Sequence, residues 1–210
     1  MAPWTEEEAA GHGLLLLRLP AARAARWVRG GLVSAAVVGL PGWTGVCLAD
    51  PRSRAVAPYD LGTEVLAARP VPAAGRPSVG LFVLDGCAVV TVQPAGRRAS
   101  QRWVVWEPGS GVRSTPDLAP LPSALLVDVA GAGSRTDAES VRGHLRDGSG
   151  TPLDLLVGLQ RLLGLPGEAL LREGPDPEAE VVEPGARGVR RFNRLITDEA
   201  AHRLEQEQGR

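Results

Sequence analysis

Residues 78–106 constrain the fold of this chain more than any other stretch. They read SVGLFVLDGCAVVTVQPAGRRASQRWVVW, the densest run of β-forming residues in the sequence. Asp85-Gly86 stands between two apolar runs, and an Asp-Gly pair in that setting is a strong signal for a two-residue hairpin turn. The turn places Leu84 opposite Cys87 and so fixes the register of the two strands. A third strand at residues 101–106 completes a predicted meander.

Both faces of this predicted hairpin are apolar. Because side chains alternate across a strand, Phe82 and Leu81 belong to opposite faces, and each has apolar neighbours on its own face. A half-exposed antiparallel sheet would show one polar face, so we expect these strands to be central and covered on both sides. The helices expected at residues 21–32 and 152–163 can cover one face. Unless loops cover the other face, we expect a second chain there.

The main domain begins with a strand–helix–strand pattern. Residues 14–19 are apolar on both faces, and Pro20 then opens a helix, as proline does at a first helical position. Residues 33–38 form the next apolar run. A crossover of this kind joins two parallel strands. Further along the chain, residues 124–129 (ALLVDV) predict another strand.

The strongest helix signal lies at residues 152–163. Thr151 and Asp154 match a capping box, with Pro152 at the first helical position. Gly158 costs this helix about 1 kcal/mol relative to alanine, which indicates close packing there. Together, these elements predict an α+β fold: a mixed, mainly antiparallel sheet with an N-terminal βαβ-like unit, a central β-meander and a C-terminal helical cap.

The chain divides into three predicted segments. Residues 1–11 carry a capping-box pattern and are expected to form a short helix. Residues 12–173 are expected to form a single α+β domain. Residues 174–210 comprise an acidic, proline-containing linker and an arginine-rich tail, in which Thr197 is expected to cap a helix over residues 198–208. This tail has too few apolar residues to fold alone.

Composition excludes several chemistries. All 23 basic residues are arginine, because the chain contains no lysine. It therefore has neither a P-loop lysine nor a lysine that could form a Schiff base. The 2 cysteines and 3 histidines have no partners at metal-ligand spacing. We therefore expect neither a metal nor another cofactor.

The charge and the N-terminal sequence bear on location. A net charge of −1 gives no general attraction to nucleic acid or to an anionic membrane. The first residues are acidic where a secretory signal would be basic. The leucines at residues 14–17 are too few to span a bilayer. We therefore expect a cytoplasmic protein without membrane contact.

One loop has the setting of an anion-binding site. Asp128 ends the strand expected at residues 124–129, and the glycine-containing loop that follows precedes a helix, a position where phosphates bind. Asp50 also ends a predicted strand, and the two carboxylates would share a rim if their strands were parallel neighbours. The residues of this alternative, an enzyme or a nucleotide- or anion-binding protein, are Asp50, Asp128, Gly131, Gly133 and Ser134. Otherwise the loop is a plain connection and the aspartates are ordinary strand-end residues.

Tryptophan and arginine supply the candidates for a protein interface. Trp103 and Trp106 must point to opposite faces of their strand, so either each face buries one or one of them anchors a partner. The second candidate is the tail, with Arg187, Arg190, Arg191, Phe192 and Arg194. We therefore predict a non-catalytic binding, scaffolding or regulatory subunit that acts through a protein partner or by self-association. Nucleic-acid binding is less favoured, since it requires Arg97 and Arg98 to share one face with the tail arginines.

Overall fold

The computed structural model describes residues 12–96, 99–131 and 136–208, with side chains up to residue 200 and at His202. The strands in this part of the chain are β1 Gly13–Leu17, β2 Ala35–Leu40, β3 Trp43–Leu48, β4 Ser78–Leu84, β5 Cys87–Gln93, β6 Arg102–Glu107, β7 Gly111–Val112 and β8 Val181–Val182. The helices are α1 Ala21–Arg29, α2 Gly62–Ala68, α3 Ser123–Ala130, α4 Ala138–Arg146, α5 Pro152–Leu162, α6 Glu168–Glu173 and α7 Ala186–Gln208. The helix expected within residues 1–11 lies outside the described residues.

The eight strands form one sheet in the order β7-β6-β5-β4-β1-β3-β2-β8. Every pairing between neighbouring strands is antiparallel. Since β1 and β2 are each antiparallel to β3, they run parallel to one another with β3 between them. The predicted crossover between parallel strands is therefore confirmed, although the two strands do not pair directly. The α+β fold is confirmed as well.

The β4–β5 hairpin has the predicted register, with Leu84 opposite Cys87. Asp85 has a φ of 48° and Gly86 a φ of 71°. Both central residues thus adopt the left-handed conformation that a type I′ turn requires. Strand β6 pairs with β5 and completes the meander.

Helices of the same chain cover both faces of the sheet. Helices α3 to α6 lie on one face, where their apolar side chains pack with Leu81, Val90 and Trp106. Helices α1 and α2 lie on the other face and pack with Phe82 and Val89. The expectation that a second chain covers one face is therefore wrong. Helices α1 and α5, both expected on one side, lie on opposite sides of the sheet.

Residues 124–129 belong to helix α3 and not to a strand, so that prediction is wrong. Pro122 precedes the helix, and Gly131 follows it with a φ of 73°, a left-handed conformation that ends helices. Leu126 and Val129 are buried at helical spacing, whereas Asp128 between them is exposed. A short apolar run does not distinguish a strand from a buried helix, and here the flanking proline and glycine decide.

Helix α5 has the predicted N-terminus. The Thr151 hydroxyl accepts from the Asp154 amide at 3.1 Å, and the Asp154 carboxylate accepts from the Thr151 amide at 3.4 Å. Gly158 is required by close packing, as expected: a Cβ there would lie 2.6 Å from Cε1 of His144 on α4.

The C-terminal segment extends the fold at the edge of the sheet. Strand β8 pairs with β2, and α7 begins at Ala186, twelve residues before the start expected from the sequence. Thr197 lies inside this helix, where its hydroxyl donates to the Asn193 carbonyl at 3.0 Å, so the prediction that Thr197 caps a helix is wrong. The division of the chain at residue 174 stays a prediction. In the part of the chain described, no helix is both long and apolar enough to span a membrane.

Candidate functional site

A cavity of about 380 Å³ lies where the C-terminal end of α1 meets α2 and α7. Its wall combines glycines, aromatic rings and one charged side chain, and includes Gly30, Gly31, Tyr59, Val65, Arg69 and Phe192. Pockets for small ligands have volumes of about 300–1,000 Å³ and mainly apolar walls with a few polar groups. The volume of this cavity, which is open to solvent on one side, falls within that range.

Arg69 is the charged group of this wall. Its guanidinium carbon lies 3.8 Å from the centre of the Trp27 ring. Nη2 donates a hydrogen bond to the Trp27 carbonyl, which belongs to the last turn of α1. Nη1 is buried and has no hydrogen-bond partner among the described residues. Burial lowers the pKa of Arg69 to about 10, so the group stays charged at neutral pH in a site that disfavours the charge.

The charge of Arg69 has no carboxylate partner in the described structure, where every ion pair joins other groups. The end of α1 compensates part of it, because a helix C-terminus carries about half a negative charge. The other buried side-chain atom without a partner among the described residues is Gln160 Oε1. That group is a neutral amide, whereas an incompletely paired charge carries a desolvation cost on the order of several kcal/mol.

The sheet fixes the main chain on both sides of Arg69. Gln93, at the end of β5, donates from Nε2 to the Arg69 carbonyl at 3.1 Å and accepts from the Val71 amide at 2.7 Å. Gln101 donates from Nε2 to the Ala67 carbonyl at 2.7 Å. These amide contacts hold the end of α2 against the β5–β6 hairpin, so the Arg69 side chain extends to the end of α1.

Gly31 makes room for the guanidinium. A Cβ at this position would overlap Nη1 of Arg69, whereas a Cβ at Gly30 would lie 3.5 Å from its nearest neighbour. The Gly-Gly pair therefore does more than end α1. Its second residue leaves the space in which the charged group of Arg69 lies.

The first turns of α7 form the opposite wall. The rings of Tyr59 and Phe192 meet edge to face with their centres 5.4 Å apart. Asn193 accepts from the Val56 amide at 3.0 Å and donates to the Arg54 carbonyl at 3.2 Å. These contacts attach the beginning of α7 to the loop between β3 and α2. The cavity therefore combines residues 30–69 with residues of α7 that are far from them in sequence.

A second cavity of about 160 Å³ lies between β1, β3 and α6, and His12, Cys47, Asp50 and Glu173 contribute to its lining. His12 Nδ1 is 3.1 Å from a carbonyl of α6, and Sγ of Cys47 donates to another at 3.4 Å. Burial raises the pKa of the Cys47 thiol to about 11, so the thiol is protonated at neutral pH and is not an activated nucleophile. Among the described residues, no three His, Cys, Asp or Glu side chains come together as metal ligands would.

The structure does not bring the predicted ligand residues together in one cavity. Asp50 lines the smaller cavity and pairs with Arg54 at 3.3 Å. Asp128 is exposed on α3 and lines neither cavity, while Gly131 ends that helix. Gly133 and Ser134 lie outside the described residues. The strand–loop–helix setting expected for an anion is therefore wrong, since a helix precedes the loop.

The two tryptophans of β6 point to opposite faces, as predicted. Trp106 is fully buried under α4 and α5 and donates from Nε1 to the Asp147 carbonyl at 3.0 Å. It is therefore not a surface anchor, because the chain itself covers that face. Trp103 is half-buried on the other face. In the tail, Phe192 is half-buried in the cavity wall and the arginines Arg187, Arg190, Arg191 and Arg194 are exposed. Arg97 and Arg98 lie outside the described residues.

Sequence reasoning missed Arg69. The segment LAARPVP around it has no motif, and an arginine before a proline is typical of a loop. The one available signal was Gly30-Gly31 at a helix end, which does not identify the side chain that lies against it. No family model matches the chain, and neither a curated protein nor a solved structure is significantly similar to it.

Proposed function

We propose that this protein is a non-catalytic binding subunit, with a scaffolding or regulatory role, that contacts an acidic protein partner through the outward face of α7. The observation that supports this most strongly is the exposure of four arginines on that face. They are Arg187, Arg190, Arg191 and Arg194.

The position of these arginines follows from the helical period. Val189, Phe192, Asn193 and Ile196 are half-buried and recur at helical spacing, so they define the side of α7 that faces the body of the protein. The arginines fall on the remaining surface of the helix. They are therefore available to a partner while the helix stays attached to the body.

The helix dipole does not favour these arginines. Basic residues are unfavourable near a helix N-terminus, because the helix dipole is positive there, and the first turn of α7 has no acidic residue. No ion pair joins any of the four to a described carboxylate. An acidic surface on another molecule would supply the missing counter-charge.

Exposed apolar side chains on α7 and in the loop that holds it favour a protein over a nucleic acid. Leu195 on α7 is 57% exposed, and Tyr59 and Val56, in the loop that holds α7, are 44% and 41% exposed. Tyrosine and arginine are enriched among the residues that dominate protein interfaces. A nucleic-acid backbone would be recognised mainly by charge and would leave these apolar groups unused.

The experiment compares two triple variants with the same loss of charge. Arg190, Arg191 and Arg194 are changed to Gln on α7; the control changes Arg23, Arg26 and Arg29, three exposed arginines of α1. Each tagged chain is purified from its own host after nuclease treatment, and bound proteins are quantified by mass spectrometry. The purified chain is also examined alone by light scattering.

We expect one acidic protein to co-purify in stoichiometric amounts with the wild type and the α1 variant and to be reduced at least tenfold with the α7 variant. Equal recovery with both triple variants would contradict the proposal. So would a bound species that disappears on nuclease treatment, or a chain that is recovered alone and monomeric.

A further inference from the structure

The cavity between α1, α2 and α7 contains a charged group whose interactions within the protein are incomplete. Arg69 has one hydrogen bond to a helix-end carbonyl and a stacking contact with Trp27, but Nη1 has no partner among the described residues. A buried charge is favourable only when it is paired and its donors are used. The chain keeps this arginine beside an open cavity, where a hydrophobic residue would pack without that cost.

We propose that this cavity binds a small organic anion, whose carboxylate or phosphate pairs with Arg69. The apolar part of the ligand lies against Val65, Tyr59 and Phe192, which line the same cavity. The volume of about 380 Å³ accommodates a molecule of one ring with a short substituent. This inference goes beyond the proposed role of α7, since the arginines of α7 are not part of the cavity wall.

Arg69 is the group that selects the charge of the ligand. The amides of Gly30, Gly31 and Gly188 already donate to carbonyls at 3.1, 2.8 and 2.9 Å. Main-chain amides at these glycines are therefore not free to bind an anion. The guanidinium provides planar, paired donors that match a carboxylate or a phosphate.

The contacts of Arg69 allow its side chain to turn toward a ligand. Nη1 is buried against Gly31 and is not accessible from the cavity. The main chain of Arg69 is held by Gln93, whereas among the described residues the guanidinium hydrogen-bonds and stacks only with Trp27. A bound anion therefore draws the guanidinium away from Gly31 while the backbone stays in place.

The ligand also links α7 to the body of the protein. Phe192 belongs to α7, whereas Val65 and Arg69 belong to the α2 region. A molecule in contact with all three groups stabilises the attachment of α7 by its own binding free energy. Occupancy of the cavity would thus regulate how firmly α7 is held.

The test uses the full chain labelled with ¹⁵N-arginine, with benzoate, phenyl phosphate and neutral benzamide as probes. The Arg69 side-chain signal is identified from its loss in Arg69→Lys. We expect saturable shifts of this signal with benzoate or phenyl phosphate, and affinity for benzamide at least tenfold weaker. The comparison of the two anions decides between a carboxylate and a phosphate ligand. Equal affinity for benzoate and benzamide would overturn the proposal, as would the absence of any saturable shift.

Two variants locate the site. Arg69→Gln is expected to weaken binding of the preferred anion at least tenfold, and Phe192→Ala at least threefold, while Arg23→Gln on the exposed side of α1 leaves it unchanged. If Arg69→Gln does not fold, the labelled wild type and Phe192→Ala still decide. Unchanged binding by Phe192→Ala, or shifts of similar size at every exposed arginine, would show that the anion binds elsewhere, which contradicts the proposal.

Discussion

Two glycines in this protein each leave space for a titratable side chain from a neighbouring segment, and the two contacts differ in one respect. At Gly158 of α5 the ring of His144 fits against the helix, and Nε2 is 2.9 Å from the Leu155 carbonyl. At Gly31 the guanidinium of Arg69 fits against the end of α1, but Nη1 has no partner. In the first contact the ring nitrogen that faces α5 has its partner within the protein, which indicates a structural role. The second is incomplete, and this difference is the basis of the proposed anion site.

The largest expected effect concerns Trp106, which lies on the same face of the sheet as α4 and α5, the helices of the contact between His144 and Gly158. Trp106→Ala removes a fully buried ring between β6 and the layer of α3 to α6, together with its hydrogen bond to Asp147. We expect a loss of about 3–5 kcal/mol in the free energy of unfolding, measured with urea. Trp103→Ala, on the α1–α2 face, is the control and should cost clearly less, because that ring is half-exposed. Equal losses would mean that the two faces are packed equally well.

The second prediction concerns the pH dependence of stability, which the buried thiol of Cys47 is expected to change. Burial raises the pKa of Cys47 from about 9 to about 11. Between these values the unfolded chain loses the thiol proton while the folded chain retains it, so stability falls as the pH rises through this window. The full loss is about 2–3 kcal/mol, at about 1.4 kcal/mol for each pKa unit. Burial has the opposite effect on Arg69, whose lowered pKa disfavours the fold at neutral pH.

Cys47→Ser isolates the thiol, because serine keeps a donor for the Leu170 carbonyl but does not titrate in this range. Urea unfolding of both proteins between pH 8 and pH 11 should show a steeper decline for the wild type. An equal decline in the two proteins would show that folding does not raise the pKa of the thiol, as expected for a thiol in contact with water.

The third prediction tests the contact at Gly158. An alanine there gains about 1 kcal/mol of helix propensity but forces the ring of His144 out of its position, and overpacking costs about 1–3 kcal/mol. We expect a net loss of up to about 2 kcal/mol in urea unfolding. His144→Ala should remove most of the penalty in the double variant, because the clash is with that ring. Strictly additive losses would contradict the contact.

The comparison also separates what the sequence could predict from what it could not. The hairpin at Asp85-Gly86 and the start of α5 at Thr151 depend on neighbouring residues, and both were confirmed. The prediction of a strand at residues 124–129 failed because a short apolar run suits a strand or a helix equally well. The spacing of apolar residues predicts that a helix forms, but it does not determine the face of the sheet on which the helix packs. For this reason the cover of the second face was not predicted.

The cavity was beyond prediction for a related reason. Its wall joins residues near positions 30, 59, 69 and 192, which are brought together only by the folded chain. A half-buried arginine with one unpaired guanidinium nitrogen has no signature in the sequence, because the missing feature is a contact. The arginines of the tail, in contrast, were named from the sequence because charge is a local feature, although the helix that carries them was expected only at residues 198–208.

The smallest effect on stability is expected at Gly31, and it distinguishes the two glycine contacts most clearly. In Gly31→Ala the new methyl group displaces the guanidinium of Arg69, which lies at the end of a long side chain and can move to water. Because the displaced charge becomes hydrated, the loss of its hydrogen bond and of the stacking on Trp27 is largely offset, and we expect a change of less than about 1 kcal/mol. Gly30→Ala is the matched control, since a Cβ there would make ordinary contacts at 3.5 Å. The Trp27 indole signal in NMR spectra should shift in Gly31→Ala and stay in place in Gly30→Ala. A loss above about 2 kcal/mol in Gly31→Ala alone would show that Arg69 is needed for the fold itself, and the two glycine contacts would then be alike.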